Sequence, residues 1–195
     1  NIESAPREEI LKTLMAGGIF SKIHQRPFCM LADPKKTPRS IFVKAIESAP
    51  FTPSAEMQVE GHEEEFQAGL KALKKLTDGT VHLVYRKGTP CRAFTDATDV
   101  EKHTAEGPHP IGTHSVHIEK IDQITSPEDV VWTANVNDVI GIGKLLSKGR
   151  FHCDRIVSIA GPGILEGQTG YFRLREGFPI SDLVEGRIAK KPTRF

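Results

Sequence analysis

Apolar positions along this chain recur at two periods, and the two alternate from segment to segment. After Pro6 and the acidic turn residues Glu8 and Glu9, Ile10, Leu11, Leu14 and Met15 share one helical stripe that Gly17-Gly18 ends. Prolines 27, 34 and 38 punctuate a loop, and Ile41-Phe42-Val43-Lys44-Ala45-Ile46 then has the length and β-propensity of a buried strand, closed by Pro50 and Pro53. From Glu63 onward Phe66, Leu70, Leu73 and Leu76 line one face of a helix with Lys71, Lys74 and Lys75 on the wet side, and Asp78-Gly79 stops it. Thr80 to Tyr85 is the next strand. Strand, helix, strand in this order predicts a parallel βαβ unit and an α/β fold.

Further along, the periodicity weakens. Residues 87–112 are rich in Gly, Pro, Thr and Asp and read as loop with one helical turn near Asp96 to His103. Val116, Ile118 and Ile121 suggest a strand. Asn135 or Asn137 can cap a helix carrying Val139, Ile140, Leu145 and Leu146 up to Gly149, and Arg155 to Ala160 reads as one more buried strand of the same layer. A turn-rich stretch from Gly161 to Gly170 suggests a boundary, which places an α/β domain at residues 1–165 and the start of another at 166–195. In that second piece Tyr171, Arg173 and Arg175 alternate with Phe172 and Leu174, and Ile180 to Val184 predicts a brief helix.

Composition narrows the function classes. With 38% hydrophobic and 26% charged residues the chain has the balance of a folded globular protein. Its 26 Lys and Arg nearly cancel 25 Asp and Glu, which leaves no broad basic footprint for a nucleic-acid partner. No run approaches the roughly 20 apolar residues needed to span a bilayer, and residues 1–6 lack the pattern of a secretion signal. Three scattered cysteines fit a reducing compartment, and the cytoplasm is the expected location. The missing initiator Met and the abrupt end at Lys190 to Phe195 suggest a piece excised from a longer protein.

Most chemical motifs fail on spacing. Gly141-Ile142-Gly143-Lys144 lacks the upstream Gly and following Ser or Thr of a P-loop, those positions being Asp138 and Leu145, so its glycines are expected to serve helix packing. His62-Glu63-Glu64-Glu65-Phe66 has Phe where a zincin helix needs its second His. His103, His109, His114 and His117 cluster in sequence, yet match no closed metal-site spacing. Cys91 beside Arg92 is a weak thiol candidate. Two loops are better placed. Gly107-Pro108-His109-Pro110 holds an imidazole between stiffening prolines, and Glu47-Ser48-Ala49-Pro50 follows a strand at the end where open α/β sheets bind ligands.

A set of segments then becomes recognisable in combination: Arg26-Pro27-Phe28, the strand Ile41 to Ile46, Glu64 to Leu70, Gly107-Pro108-His109-Pro110, Gly112-Thr113-His114 and Asp154 to Pro162. In this order and spacing the chain resembles the A-subunit family of the sodium-translocating NADH:quinone reductase, from about Pro6 to its end. The resemblance implies a Rossmann-like, mainly parallel sheet with flanking helices, related to the flavin- and NADH-binding subunit of respiratory complex I, followed by the start of a ubiquitin-like (β-grasp) domain. In that relative a glycine-rich loop cradles flavin phosphate and a Glu-Ser-Glu-Pro-Gly segment contacts nucleotide. Here the first is reduced to Gly17-Gly18 and the second reads Glu47-Ser48-Ala49-Pro50-Phe51. A glycine lost where phosphate must reach backbone N–H groups removes the physical basis of such a site.

The resemblance therefore implies a peripheral subunit on the inner face of the cytoplasmic membrane with a degenerate flavin or nucleotide site at Gly17, Gly18, Glu47 and Ser48. No catalytic residue and no metal ligand is assigned. No cofactor is expected to be tightly bound in this piece, while NADH, FAD, FMN and the iron–sulfur centre belong to other subunits of the complex, which are its expected partners. Gly107, Pro108, His109, Pro110 and His114 form the candidate loop for ubiquinone or for a subunit interface. The alternative is a self-contained flavin- or NADH-binding oxidoreductase domain using Glu47 and Gly17-Gly18.

Overall fold

The computed structural model describes residues 2–189, so the expectation drawn from Lys190 to Phe195 lies outside the described residues. Helix α1 (Arg7–Ala16) and a short 3₁₀ turn at Ile19–Lys22 lead into strands β1 (His24–Arg26), β2 (Met30–Leu31) and β3 (Ser40–Ala45). Next come α2 (Ala55–Val59), α3 (Glu63–Lys74), β4 (Thr80–Arg86), α4 (Arg92–Thr95), β5 (Glu101–Ala105) and α5 (His114–Ile121). The chain continues through β6 (Val131–Asn135), α6 (Val136–Lys148), β7 (Asp154–Ile159), β8 (Gly170–Arg175) and α7 (Ile180–Val184).

Six strands form one sheet in the order β2-β1-β6-β3-β4-β5, in which β6, β3, β4 and β5 are mutually parallel and β1 runs antiparallel to β6. Side chains alternate between its faces. Ile41, Val43, Val81 and Leu83 enter the larger core with α1, α3 and α6, whereas Phe42 and Val84 meet Ile118 of α5 on the other face. The two faces make this a three-layer, Rossmann-like α/β unit. Trp132, the largest fully buried side chain, sits edge-on to Phe20 with ring centroids 5.5 Å apart.

The glycines of Gly141-Ile142-Gly143 serve packing, as expected. A Cβ on Gly143 would lie 1.8 Å from the Glu65 carbonyl oxygen, and one on Gly69 would lie 2.1 Å from that of Val139, so α3 and α6 touch backbone to backbone. Lys148 near the end of α6 pairs with the buried Glu65 carboxylate at 2.8 Å, which holds that acid below the ordinary carboxylate range.

Three expectations are corrected. Val116 to Ile121 belongs to helix α5, because His114, His117, Ile118 and Ile121 form an i, i+3, i+4, i+7 stripe toward the sheet once the histidines count as inward residues. Residues 101–105, expected as loop or helical turn, form the edge strand β5, whose exposed Glu101 and Lys102 suit an unpaired edge. The strand near Arg155 to Ala160 exists as β7 but does not join the parallel layer. It pairs antiparallel with β8 in a separate two-stranded sheet, beside a small cluster of Ile159, Ile164 and Val184.

Candidate functional site

From β3 the chain builds outward through β4 and β5, then crosses back to lay β6 on the other side of β3. Strand order thus reverses between β3 and β6, and the crevice past the carboxyl ends of strands at such a reversal is where open α/β sheets bind ligands. Glu47 and Ser48 leave β3 at this point. The loop carrying Gly107, Pro108, His109 and Pro110 returns from β5 and meets them, bringing together two segments that are 61 residues apart.

The contact is specific. Ser48 Oγ accepts the Gly112 N–H at 2.9 Å and shares a hydrogen bond with His109 Nδ1, 3.0 Å away. A Cβ on Gly112 would stand 2.8 Å from the Ser48 nitrogen, so the close approach requires glycine. Glu47 pairs with Lys44 at 2.8 Å, both side chains being 16% exposed, and its carbonyl accepts from Arg86 Nη2 at 2.7 Å. His114 Nε2 reaches the Ala134 carbonyl at the end of β6, 3.2 Å away, and His117 Nε2 reaches the Ile111 carbonyl at 2.7 Å. Burial pushes the His114 imidazole down to about 3, and lowers His117 as well, so both rings donate to carbonyls in the neutral form.

Two features bear on phosphate or nucleotide binding. At the N-terminus of α6 the Asp138 carboxylate accepts from the Asn135 backbone N–H at 3.0 Å and from its side-chain amide at 2.9 Å. That position, where helix dipoles attract anions, already holds one. Phe51 keeps φ +60°, a left-handed conformation natural to glycine, while its ring is 66% exposed. The ring borders a crevice of ≈ 340 Å³ with Ser158, Ala160 and Tyr171.

Gly17 and Gly18 lie apart from this group. Their backbone N–H groups bond to Thr13 and Met15, and Gly17 packs on Leu145. Nor do the clustered histidines converge: His103 on β5 contacts His82 rather than His109, His114 or His117. Sequence reasoning misses Lys44, Arg86, Asp138 and His82. Lys44 and Asp138 hold ordinary positions in predicted elements, Arg86 lies one residue past the predicted strand, and His82 hides in an apolar strand run. Cys91 is half-buried, and burial raises its thiol, which speaks against a reactive thiolate.

The family described as "NqrA second alpha/beta domain" matches residues 5–151. The A-subunit of the Na(+)-translocating NADH-quinone reductase of Yersinia pestis bv. Antiqua (strain Angola) is 32% identical over 188 residues, covering 96% of this chain and 41% of the relative. The protein of the same description from Serratia proteamaculans (strain 568) is 34% identical over 183 residues, covering 94% of this chain and 40% of the relative. This chain therefore spans about two-fifths of the relatives it matches. Among solved structures, a chain of the NAD+-reducing [NiFe]-hydrogenase in the H2-reduced state superposes with a TM-score of 0.60 at 12% identity, over 96% of this chain and 42% of that one, a likeness of fold. With the six-stranded unit matched almost throughout, the chain belongs to the NqrA family, in the region of its second alpha/beta domain.

Proposed function

We propose that this chain is the central part of the NqrA component of a sodium-translocating NADH:quinone reductase, a peripheral subunit on the cytoplasmic face of the membrane. Its partners are the other subunits, which carry FAD, FMN and the iron–sulfur centre and oxidise NADH. Among the described residues no helix is long and apolar enough to cross a membrane, which is compatible with a peripheral place. The proposed contribution of the chain is to assembly and quinone contact, through the Gly107 to Pro110 loop with His109 and His114, rather than to proton or hydride transfer. The second unit is proposed to open a ubiquitin-like domain. Its start is better drawn between Gly149 and Cys153 than at residue 166, since β7 pairs with β8.

The flavin and nucleotide site is proposed to be degenerate. One observation carries this reading: at the reversal point the polar groups are spent on one another, Ser48 on His109 and Gly112, Glu47 on Lys44 and Arg86. Phe51, in a glycine conformation, puts a ring where a phosphate would need open backbone. These residues do not fit a flavin phosphate, and no chemical step is assigned through one.

Thermal unfolding of the chain with FMN, NADH or a soluble ubiquinone analogue tests it. A ligand at about 100 times its dissociation constant stabilises by roughly 2.7 kcal/mol, which at about 2–4 °C per kcal/mol is readily seen. The expected result is a shift with the quinone alone, reduced in His109→Ala. A saturable shift with FMN or NADH overturns the degenerate-site reading and favours a self-contained nucleotide-binding domain.

A further inference from the structure

At the opposite, amino-terminal end of the parallel strands, on the face covered by α5, lies a second cleft of ≈ 570 Å³ whose lining includes Arg39, Thr80, Lys120 and Asp122. His82, Glu101 and His103 converge on its wall. The sheet register brings them together. His82 of β4 stands opposite Glu101 of β5, and Glu101 and His103, two residues apart, project from the same face of β5.

His82 Nδ1 lies 3.0 Å from His103 Nε2, His103 Nε2 lies 3.4 Å from Glu101 Oε1, and His82 Nδ1 lies 3.9 Å from Glu101 Oε2. Ligand bonds of about 2.0–2.1 Å around a tetrahedral zinc ion put neighbouring donor atoms roughly 3.3 Å apart. The 3.4 Å separation matches, the 3.0 Å imidazole pair must open slightly, and the third closes by rotation of Glu101, whose side chain is 58% exposed. The two rings share a hydrogen bond and the carboxylate stands within 4 Å of both, so the three donors are gathered with no side chain between them. His82 is fixed by burial and by the Phe42 ring, 4.6 Å away between centroids.

We propose that His82, Glu101 and His103 bind a divalent transition-metal ion of the zinc class, leaving one coordination position open to the cleft for water or an anionic ligand. Two imidazoles and a carboxylate with an open position are a recurrent zinc donor set. Strand-borne ligands in fixed register are held more rigidly than loop-borne ones. The site is separate from the Ser48–His109 contact, at the other end of the strands.

Chelator-stripped protein titrated with Zn2+, read by calorimetry and by the visible spectrum of a Co2+ substitute, tests the proposal. The expected result is a site with tetrahedral Co2+ bands, whose affinity falls at least tenfold in His103→Ala and in Glu101→Gln. Both positions lie on an edge strand and are partly or fully exposed, and a circular-dichroism spectrum like that of the parent confirms folding. A second group, His62, His152 and Asp154, also gathers its donors within 4.8 Å, so His62→Ala serves as the discriminating variant. Absence of binding at about 100 µM Zn2+, or binding lost in His62→Ala and retained in His103→Ala, overturns the assignment.

Discussion

Phe51 shows how much a single backbone angle can cost. A residue with a Cβ costs about 1–2 kcal/mol in the left-handed region, and an exposed ring recovers little of that by burial. The φ of +60° lies in the left-handed region that glycine adopts without a Cβ penalty. Comparing Phe51→Ala with Phe51→Gly separates the angle from the ring, since both remove the ring and only glycine relieves the strain. The glycine variant is expected to be the more stable of the two by about 1 kcal/mol in urea unfolding, somewhat less than the full strain because glycine gains entropy in the unfolded chain. Equal stabilities would mean that the turn relaxes to another conformation when the ring is removed.

Among the elements, α3 and α6 are the pair whose contact is most demanding. Alanine at a helix-interior glycine gains about 1 kcal/mol in propensity. At Gly143 the added carbon would meet the Glu65 backbone at 1.8 Å, whereas at Gly141 it would meet the flexible end of Ile19 at 3.0 Å. Overpacking against a backbone that cannot yield costs roughly 1–3 kcal/mol or more. Gly143→Ala is therefore expected to lower the melting temperature by about 4–8 °C, corresponding to about 2 kcal/mol net, while Gly141→Ala stays near neutral. The same scale shows what is legible in the sequence. Runs buried on both faces, such as Ile41 to Ala45, and amphipathic helices, such as the one carrying Phe66, Leu70 and Leu73, announce themselves. Strand β5 does not, because the polar residues of an exposed edge leave no hydrophobic period. Helix α5 reads as a strand because its inward stripe is half histidine, and β7 is placed in the wrong sheet because an apolar strand does not state its partner. The candidate site is legible as two separate loops. Their meeting depends on the parallel sheet, and His82 needs the β4–β5 register before it has any neighbour to act with.

For the molecule as a whole, these inward histidines tie stability to pH. Burial lowers His114 to about 3 and His152 to about 4, against an ordinary value of 6.5. Lys44, His117 and Arg26 push His114 the same way and its bond to the Ala134 carbonyl opposes them; His62, Lys144 and Arg155 depress His152 and Asp154 opposes. Below pH 6.5 the unfolded chain takes up protons that the folded one refuses, so stability rises with pH and is lost on acidification. For each such ring the loss reaches about 1.4 kcal/mol per pH unit, from 6.5 down to its folded value. The depressed Glu65 adds a loss of the same sign below 4.5, while Asp138, raised by burial, works in the other direction and only near and above 3.8. Between pH 6 and 5 His114 and His152 contribute a combined slope approaching about 2.7 kcal/mol per unit, and His82 and His117, also lowered by burial, add to it in the same direction. Replacing His114 by Gln keeps a donor for the Ala134 carbonyl and removes the titration. Urea unfolding of that variant at pH 7.5, 6 and 5 is expected to show a slope shallower by about 1.4 kcal/mol per pH unit between pH 6 and 5. An unchanged slope would mean that the His114 ring takes up its proton in the folded state, and that acid sensitivity arises instead from the other inward rings, His82, His117 and His152.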